Sequence, residues 1–275
     1  MTEPATSASS PGVGAIPPPP VRPLTQRLVD YVLFGGLAVL LVISFQAVEM
    51  ERLPRLFTQS GNMKEIGTAL IHPDFTHWKA YVAQMWLTIQ IAIWGTALAV
   101  LLAIPFGLLC SRNIAPAWIQ QPMRRLMDLL RSIPDLVLGT LFLVAVGLGP
   151  FAGVMALMLN TGGVLAKLFS EAVESIDKGP VEGVRATGAA PLQEIVWGVI
   201  PQVAPLWTSY ALYRFESNSR SATVLGLIGA GGIGQLLFDS LNGFNYSQVA
   251  AIALVIVVAV SLIDLLSQAI RSRLL

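Results

Sequence analysis

The run from Trp86 to Cys110 contains no charged residue, and it is long enough to set the solvent in which the chain folds. Crossing roughly 30 Å of hydrocarbon takes about 20 apolar residues in a helix. Tyr31 to Val48 is a second run of this kind. Pro134 to Gly149 and Phe151 to Phe169 are two more, separated only by Gly149-Pro150, which leaves room for a tight reversal and predicts a helical hairpin. Val249 to Leu266 is β-branched enough to resemble a strand, but lipid satisfies no backbone hydrogen bonds, so its length predicts a helix. A weaker stretch from Pro201 to Leu241 completes the pattern. The expected fold is all-α, a polytopic transmembrane bundle of about six spans over residues 24–275. The composition agrees: 54% hydrophobic against 12% charged residues, with mean hydropathy +0.68, cannot cover the surface of a soluble domain.

With 17 basic and 16 acidic residues there is no basic footprint for nucleic acid, so charge is informative only locally. Arg22 and Arg27 precede the first span and Arg271 and Arg273 follow the last, which predicts that both termini are cytoplasmic. The loop from Ser111 to Ser132 carries Arg112, Arg124, Arg125 and Arg131 against Asp128 and is also expected inside, whereas the mixed Glu49 to Ala80 loop is expected outside. Residues 1–23, with Pro17-Pro18-Pro19-Pro20, read as a disordered cytoplasmic tail without the order of a secretory signal. Cys110 is the single cysteine, which excludes an internal disulfide, and it reads as a packing residue.

Alternation of spans puts the segment at about 171–201 on the cytoplasmic side, although Glu171, Glu174 and Asp177 lend it no positive charge. Pro180-Val181-Glu182 starts a short helix, Gly188 interrupts it, and Pro191 opens a second helix that ends before Pro201. Ile195, Val196, Trp197, Val199 and Ile200 beside Gln193 and Glu194 make that second helix two-faced. Its apolar face suits either a lipid surface or a cleft in a partner protein, and the residues alone do not choose.

The stretch Glu182-Gly183-Val184-Arg185-Ala186-Thr187-Gly188 through Ile200-Pro201 resembles the EAA motif of ABC importer permeases, with Gly188 six residues after Glu182 and Pro201 thirteen further on. Two positions depart from it: the small pair is Gly183-Val184, and Gly198 stands where an apolar residue is usual, which is expected to loosen the docking helix. Tyr213-Arg214-Phe215-Glu216-Ser217-Asn218-Ser219-Arg220-Ser221 running into Gly229-Ala230-Gly231-Gly232-Ile233-Gly234 is similar to the phosphonate importer permeases, and less closely to the methionine importer permeases. Gly147 to Gly153, Leu168 to Glu174 and Gln90 to Gly107 extend the likeness, and phosphite and hypophosphite permeases share it.

The resemblance implies a type I ABC importer permease fold with cytoplasmic coupling helices, in a bacterial inner membrane. It implies a homodimer of this chain, two cytoplasmic ABC ATPase subunits and a periplasmic oxyanion-binding protein. ATP and magnesium would bind on the ATPase, since this chain has no Gly-x-x-x-x-Gly-Lys-[Ser/Thr] loop. Glu182, Gly183, Arg185, Gly188, Ile200 and Pro201 would form the ATPase-coupling lever, with Glu182 capping a helix start at its bend.

An oxyanion at membrane depth needs donors. Arg214, Ser217, Asn218, Ser219, Arg220 and Ser221, with Glu216 among them, are the dense polar set there and the expected translocation path. The bland alternative is an internal ion pair of Glu216 with Arg214 or Arg220 that fixes helix packing. Gly229, Gly231, Gly232 and Gly234 match Gly-x-Gly-x-x-Gly, but the acidic residue expected about 20 residues on is replaced by an apolar run, so they read as a gate hinge or close-packed turn. His72, Asp74 and His77 lack a fourth ligand and a rigid frame for zinc, so no metal is expected, and Asp264 reads as a residue near a helix end. A membrane enzyme using Arg214, Glu216 and Arg220 would lack a nucleophile nearby, and a secondary carrier would need inverted repeats that are not visible.

Overall fold

The computed structural model describes residues 24–55 and 60–274, and the tail of residues 1–23 lies outside them. The chain forms two compact units, Met1–Met63 and Lys64–Leu275. The first holds α1 (Leu24–Ala47), followed by a 3-10 turn at Met50–Arg52, and α2 (Ser60–Ile71) begins in it. The second holds α3 (Trp78–Leu109), α4 (Ala117–Ser132), α5 (Asp135–Val146), α6 (Pro150–Glu174) and α7 (Lys178–Ala186). It continues with α8 (Pro191–Glu194), α9 (Ile200–Leu225), α10 (Ile233–Asn242) and α11 (Tyr246–Leu274). No strand occurs among the described residues.

Four helices, α1, α3, α6 and α11, are long and apolar enough to cross a membrane. Two bent pairs raise the total to as many as six: α4 with α5 through 88°, and the rod from Pro191 to Ala230 with α10 through 56°. The third-span expectation is thereby corrected in its bounds. Pro134 to Gly149 is no single span, because α5 has 12 residues and reaches only about 18 Å. The arginine-bearing segment expected as a loop is instead the amphipathic α4, packed along α6. The break between them follows from Pro134, which removes a backbone donor and forces Ile133 into an extended conformation (φ −83°, ψ 122°). The hairpin reversal is made by Gly147 (φ +93°) and Gly149 (φ +141°).

Lipid supplies no hydrophobic drive between helices, so close contact between small residues has to hold them together. A Cβ on Gly107 of α3 would lie 2.8 Å from the Phe169 Cβ of α6, and one on Gly163 of α6 would lie 3.0 Å from the Met127 carbonyl of α4. Around these contacts Leu165, Phe169, Met127, Val203 and Trp207 form one buried cluster with Cys110. The Phe169 and Trp207 rings stack with centroids 4.5 Å apart and planes 11° from parallel. A second cluster holds Ile91, Leu138, Leu157 and Leu225, and a third joins Tyr81 and Met85 to Ile233 and Ile252.

Candidate functional site

The segment between α6 and α9 folds into two short helices joined by a bend, as its prolines and glycine predict. Asp177 caps α7, its Oδ1 accepting from the Gly179 N–H at 3.0 Å. The cap expected at Glu182 is therefore corrected: Glu182 lies inside α7, exposed, where every backbone N–H already has a helical acceptor upstream. Gly188 turns the chain at φ +83° with nothing within 4 Å of a notional Cβ. Across the bend Arg185 grips Glu194 with two parallel bonds, Nε to Oε1 at 3.0 Å and Nη2 to Oε2 at 2.8 Å. Those bonds pull the Glu194 carboxyl below its usual range and raise the Arg185 guanidinium.

The second helix does not stop before Pro201. Ile195–Val199 form a π turn, in which Ile200 N–H donates to Ile195 O, and α9 continues through Ile200 and Pro201. Proline is accepted in a first helical turn, where its missing donor costs least, and the widened turn absorbs the register change. Gly198 does the opposite of loosening this helix. It is buried, and a Cβ there would sit 3.1 Å from Val181 Cα, so glycine is what lets α7 lie on the π turn. Gln202 welds the two together, donating to Gly198 O at 2.7 Å and Asp177 O at 3.2 Å. On the outer side Leu192 and Trp197 are each 71% exposed, and Gly183 has open space around it.

The polar residues of α9 divide by face. On one, Glu216 pairs with Arg220 at 2.8 Å and with Arg271 of α11 at 3.5 Å, while Arg271 also lies over the Tyr213 ring at 5.9 Å. On the other, Arg214 Nη2 donates to Thr161 Oγ1 at 3.2 Å, Thr161 donates to Asn218 Oδ1 at 2.8 Å, and Asn218 Nδ2 donates to Thr96 Oγ1 at 2.8 Å. Thr96 closes the chain on Ala92 O at 2.7 Å. Thr96 stands about 21 Å along α3 from Cys110, at membrane depth. Arg214 Nε is buried without a hydrogen-bond partner among the described residues. Ser221, a helical neighbour on this face, donates to Asp135 Oδ2 at 2.8 Å. Ser219 turns back to Phe215 O, and Ser217 is half-buried.

Gly229, Gly231 and Gly232 all have positive φ (104°, 79° and 75°), reached by a second π turn over Gly226–Ala230. A Cβ on Gly232 would overlap Thr88 Oγ1 and one on Gly234 would overlap Thr223 O, so α9 and α10 meet backbone to backbone and the Thr88 side chain of α3 packs on Gly232. Thr88 Oγ1 accepts from Ile233 N–H at 2.9 Å, and Gly229 O accepts from Gly149 N–H at 3.1 Å. His72 and Asp74 sit against the start of α11: Asp74 N–H donates to Ser247 O at 3.0 Å, and its carboxylate accepts from Thr76. Those Thr76 bonds lower the Asp74 carboxyl. No group of three metal-ligating side chains occurs among the described residues.

Sequence reasoning missed Arg124 and Glu174. They join α4 to the end of α6 at 2.7 Å, Arg124 Nε reaches Cys110 O at 3.0 Å, and Glu174 accepts from Arg112 N–H at 2.8 Å. Only their opposite charges hinted at a pairing. Thr96, Thr161 and Asp135 were also missed, being ordinary residues until the helices are assembled.

The profile of the family described as "Binding-protein-dependent transport system inner membrane component" matches residues 103–275. The chain is 42% identical over 202 residues to the phosphite transport system permease protein PtxC of Stutzerimonas stutzeri, spanning 73% of this chain and 74% of that one. It is 38% identical over 258 residues to the phosphate-import permease protein PhnE of Mycolicibacterium smegmatis, spanning 92% of this chain but 48% of that longer protein. A putative cryptic phosphonate transport system permease protein, PhnE2 of Escherichia coli K12, is 59% identical over 119 residues, 43% of this chain and 98% of its own. Among solved structures the fold is similar to a chain of the inward-facing MetNI methionine ABC transporter, with TM-score 0.66 at 21% identity over 74% of this chain and 99% of that one.

Proposed function

The chain belongs to the family of inner-membrane components of binding-protein-dependent transport systems, and from that premise we propose that it is the permease subunit of an ABC importer for phosphonate or a related phosphorus oxyanion. The relatives named above are transport permeases and not enzymes. Two copies of this chain would form the channel, with both termini cytoplasmic. Two cytoplasmic ATPase subunits would hydrolyse ATP with magnesium, and a periplasmic receptor would deliver the oxyanion.

The observation that carries this reading is that α8, the π turn and α9 form one continuous rod to which α7 is fastened across the Gly188 bend. The bend is clamped by Arg185 and Glu194, the start of α7 is fixed to α9 by Gln202, and Leu192 and Trp197 remain exposed to meet a partner. An element built this way passes a displacement at its exposed face into the helix that carries Arg214. Glu182, Gly183, Arg185, Gly188, Ile200 and Pro201 belong to this lever. The Arg214 face, with Ser217, supplies donors to the path, Ser221 lines it while bonded to Asp135, and Glu216, paired with Arg220, braces α11 through Arg271. The glycine turn at Gly229, Gly231, Gly232 and Gly234 is the close-packed pivot at the far end.

Proteoliposomes holding this chain, its ATPase subunit and its receptor should accumulate labelled methylphosphonate or phosphite only with ATP inside the compartment that bears the ATPase. ATP hydrolysis that ignores receptor and oxyanion, with no accumulation, would overturn the reading.

A further inference from the structure

The α7 end of the bundle carries a groove of about 620 Å3 between α4 and α6, lined by Arg112, Gln120, Arg124, Arg125, Asp128 and Lys167 among others. Four of its lining side chains are cations and one is a carboxylate, a balance of four minus one, or +3. The inner cations are held in place. Arg124 is bonded to Glu174 at 2.7 Å, and Lys167 lies 3.7 Å from Asp128, which Arg131 holds at 2.9 Å. The outer pair differs: the side chains of Arg112 and Arg125 are exposed and make no hydrogen bond or ion pair with any described residue.

Two exposed guanidinium forks lining one cleft, whose other cations are fixed by carboxylates, make a receptor for a tetrahedral oxyanion. Each fork matches two oxygens of such an anion, and the cleft concentrates the field between its walls. We propose that this groove is an inner-side binding site for a phosphate-like oxyanion, with Arg112 and Arg125 as its contacts. The assignment of the groove to the inner side rests on the importer reading; the binding chemistry does not. The oxyanion has two possible sources: free solute, or the headgroup of an anionic lipid, whose chains would lie along Trp118 (76% exposed) and Leu129 (58% exposed) on the same flank of α4.

The test titrates inorganic phosphate into the full-length chain in phosphatidylcholine nanodiscs, reading binding by phosphorus NMR line broadening. Arg112→Gln with Arg125→Gln should raise the apparent Kd about tenfold or more, since two charge-assisted contacts are removed. Lys79→Gln, at the opposite end of α3, should leave it unchanged. Neither side chain makes a hydrogen bond or ion pair with a described residue, and the Arg112 N–H bond to Glu174 is retained in glutamine, so the double variant should keep the parent's melting temperature. Replacing part of the lipid by phosphatidylglycerol separates the sources: loss of phosphate binding identifies the headgroup as occupant, and persistence identifies the free anion. The proposal falls if the parent binds no phosphate and resists phosphatidylglycerol-dependent stabilisation, if the double variant binds as the parent does, or if Lys79→Gln loses as much. Because no transport is read, failure here leaves the importer reading standing, and a complex that cannot transport but still binds phosphate leaves this proposal standing.

Discussion

Arg185 holds Glu194 across the Gly188 bend through both of its carboxylate oxygens, at 3.0 and 2.8 Å. The carboxyl is held below its ordinary value mainly by the hydrogen bond from Arg185, so its contribution to the bend is complete above the usual glutamate range, about pH 4.3. That contribution is lost as pH falls through the lowered value. Acid should therefore loosen the bend, whereas moderate alkali should not. Hydrogen exchange of the amides of residues 186–190, corrected for intrinsic rate, should rise on acidification in the parent. In Arg185→Ala it should already be high at neutral pH and show little further acid response. An identical acid response in both proteins would remove the pair from the bend.

Gly188 adopts φ +83° in open space, so a substitution there meets backbone strain and no clash. Gly188→Ala should cost about 1–2 kcal/mol at the bend. Gly188→Pro cannot reach this φ at all, because its ring fixes φ near about −65°. The proline variant should insert normally yet fail in ATP-driven uptake and bind the ATPase weakly. Retention of the ATPase in a pull-down at the parent level would count against docking through this bend.

Gly234 and Gly183 make a matched pair of tests. A Cβ at Gly234 would overlap Thr223 O, which no rotamer can relieve, whereas Gly183 has nothing within 4 Å. Gly234→Ala should destabilise the detergent-solubilised chain by about 3 kcal/mol or more, above the usual overpacking cost, because the obstacle is backbone. Gly183→Ala should instead stabilise α7 by about 0.5–1 kcal/mol. Thermal unfolding of the two variants decides it, and equal melting temperatures would contradict the geometry.

Arg214 and Arg220 should behave differently although both lie on α9. Among the described residues Arg214 has one hydrogen bond and a buried Nε without a partner, whereas Arg220 closes an ion pair with Glu216. Arg214→Ala should reduce uptake at least about tenfold, equivalent to about 1.4 kcal/mol at the limiting step, while the assembly stays intact. Arg220→Ala should chiefly lower thermal stability, because it leaves the buried Glu216 carboxylate with Arg271 as its remaining cation. Normal uptake by Arg214→Ala would take this arginine out of the path.

Much of the architecture was legible because long apolar runs have one solution in lipid, and the bend was legible because proline and glycine act locally. The broken span was misread because α5 and Gly147 to Gly149 form one apolar run, and composition does not reveal how few of those residues stay helical. Asp177 took the cap expected at Glu182 because a cap depends on where the chain first turns, and Lys178-Gly179 begin that turn ahead of Pro180. Gly198 looked like a defect when judged by hydrophobicity alone; its value appears only when Val181 is seen against it. Arg124 and Glu174, or Thr161 and Asn218, are far apart in sequence, and nothing local announces such partners.

The donor chain from Arg214 through Thr161 and Asn218 to Thr96 also has a kinematic consequence. Each hydroxyl and amide in it has its donor and acceptor already fixed, so α3, α6 and α9 cannot slide past one another by a helical turn without stranding a buried dipole. These three helices are therefore expected to move together, which puts the alternation of openings at the surfaces where they meet their neighbours.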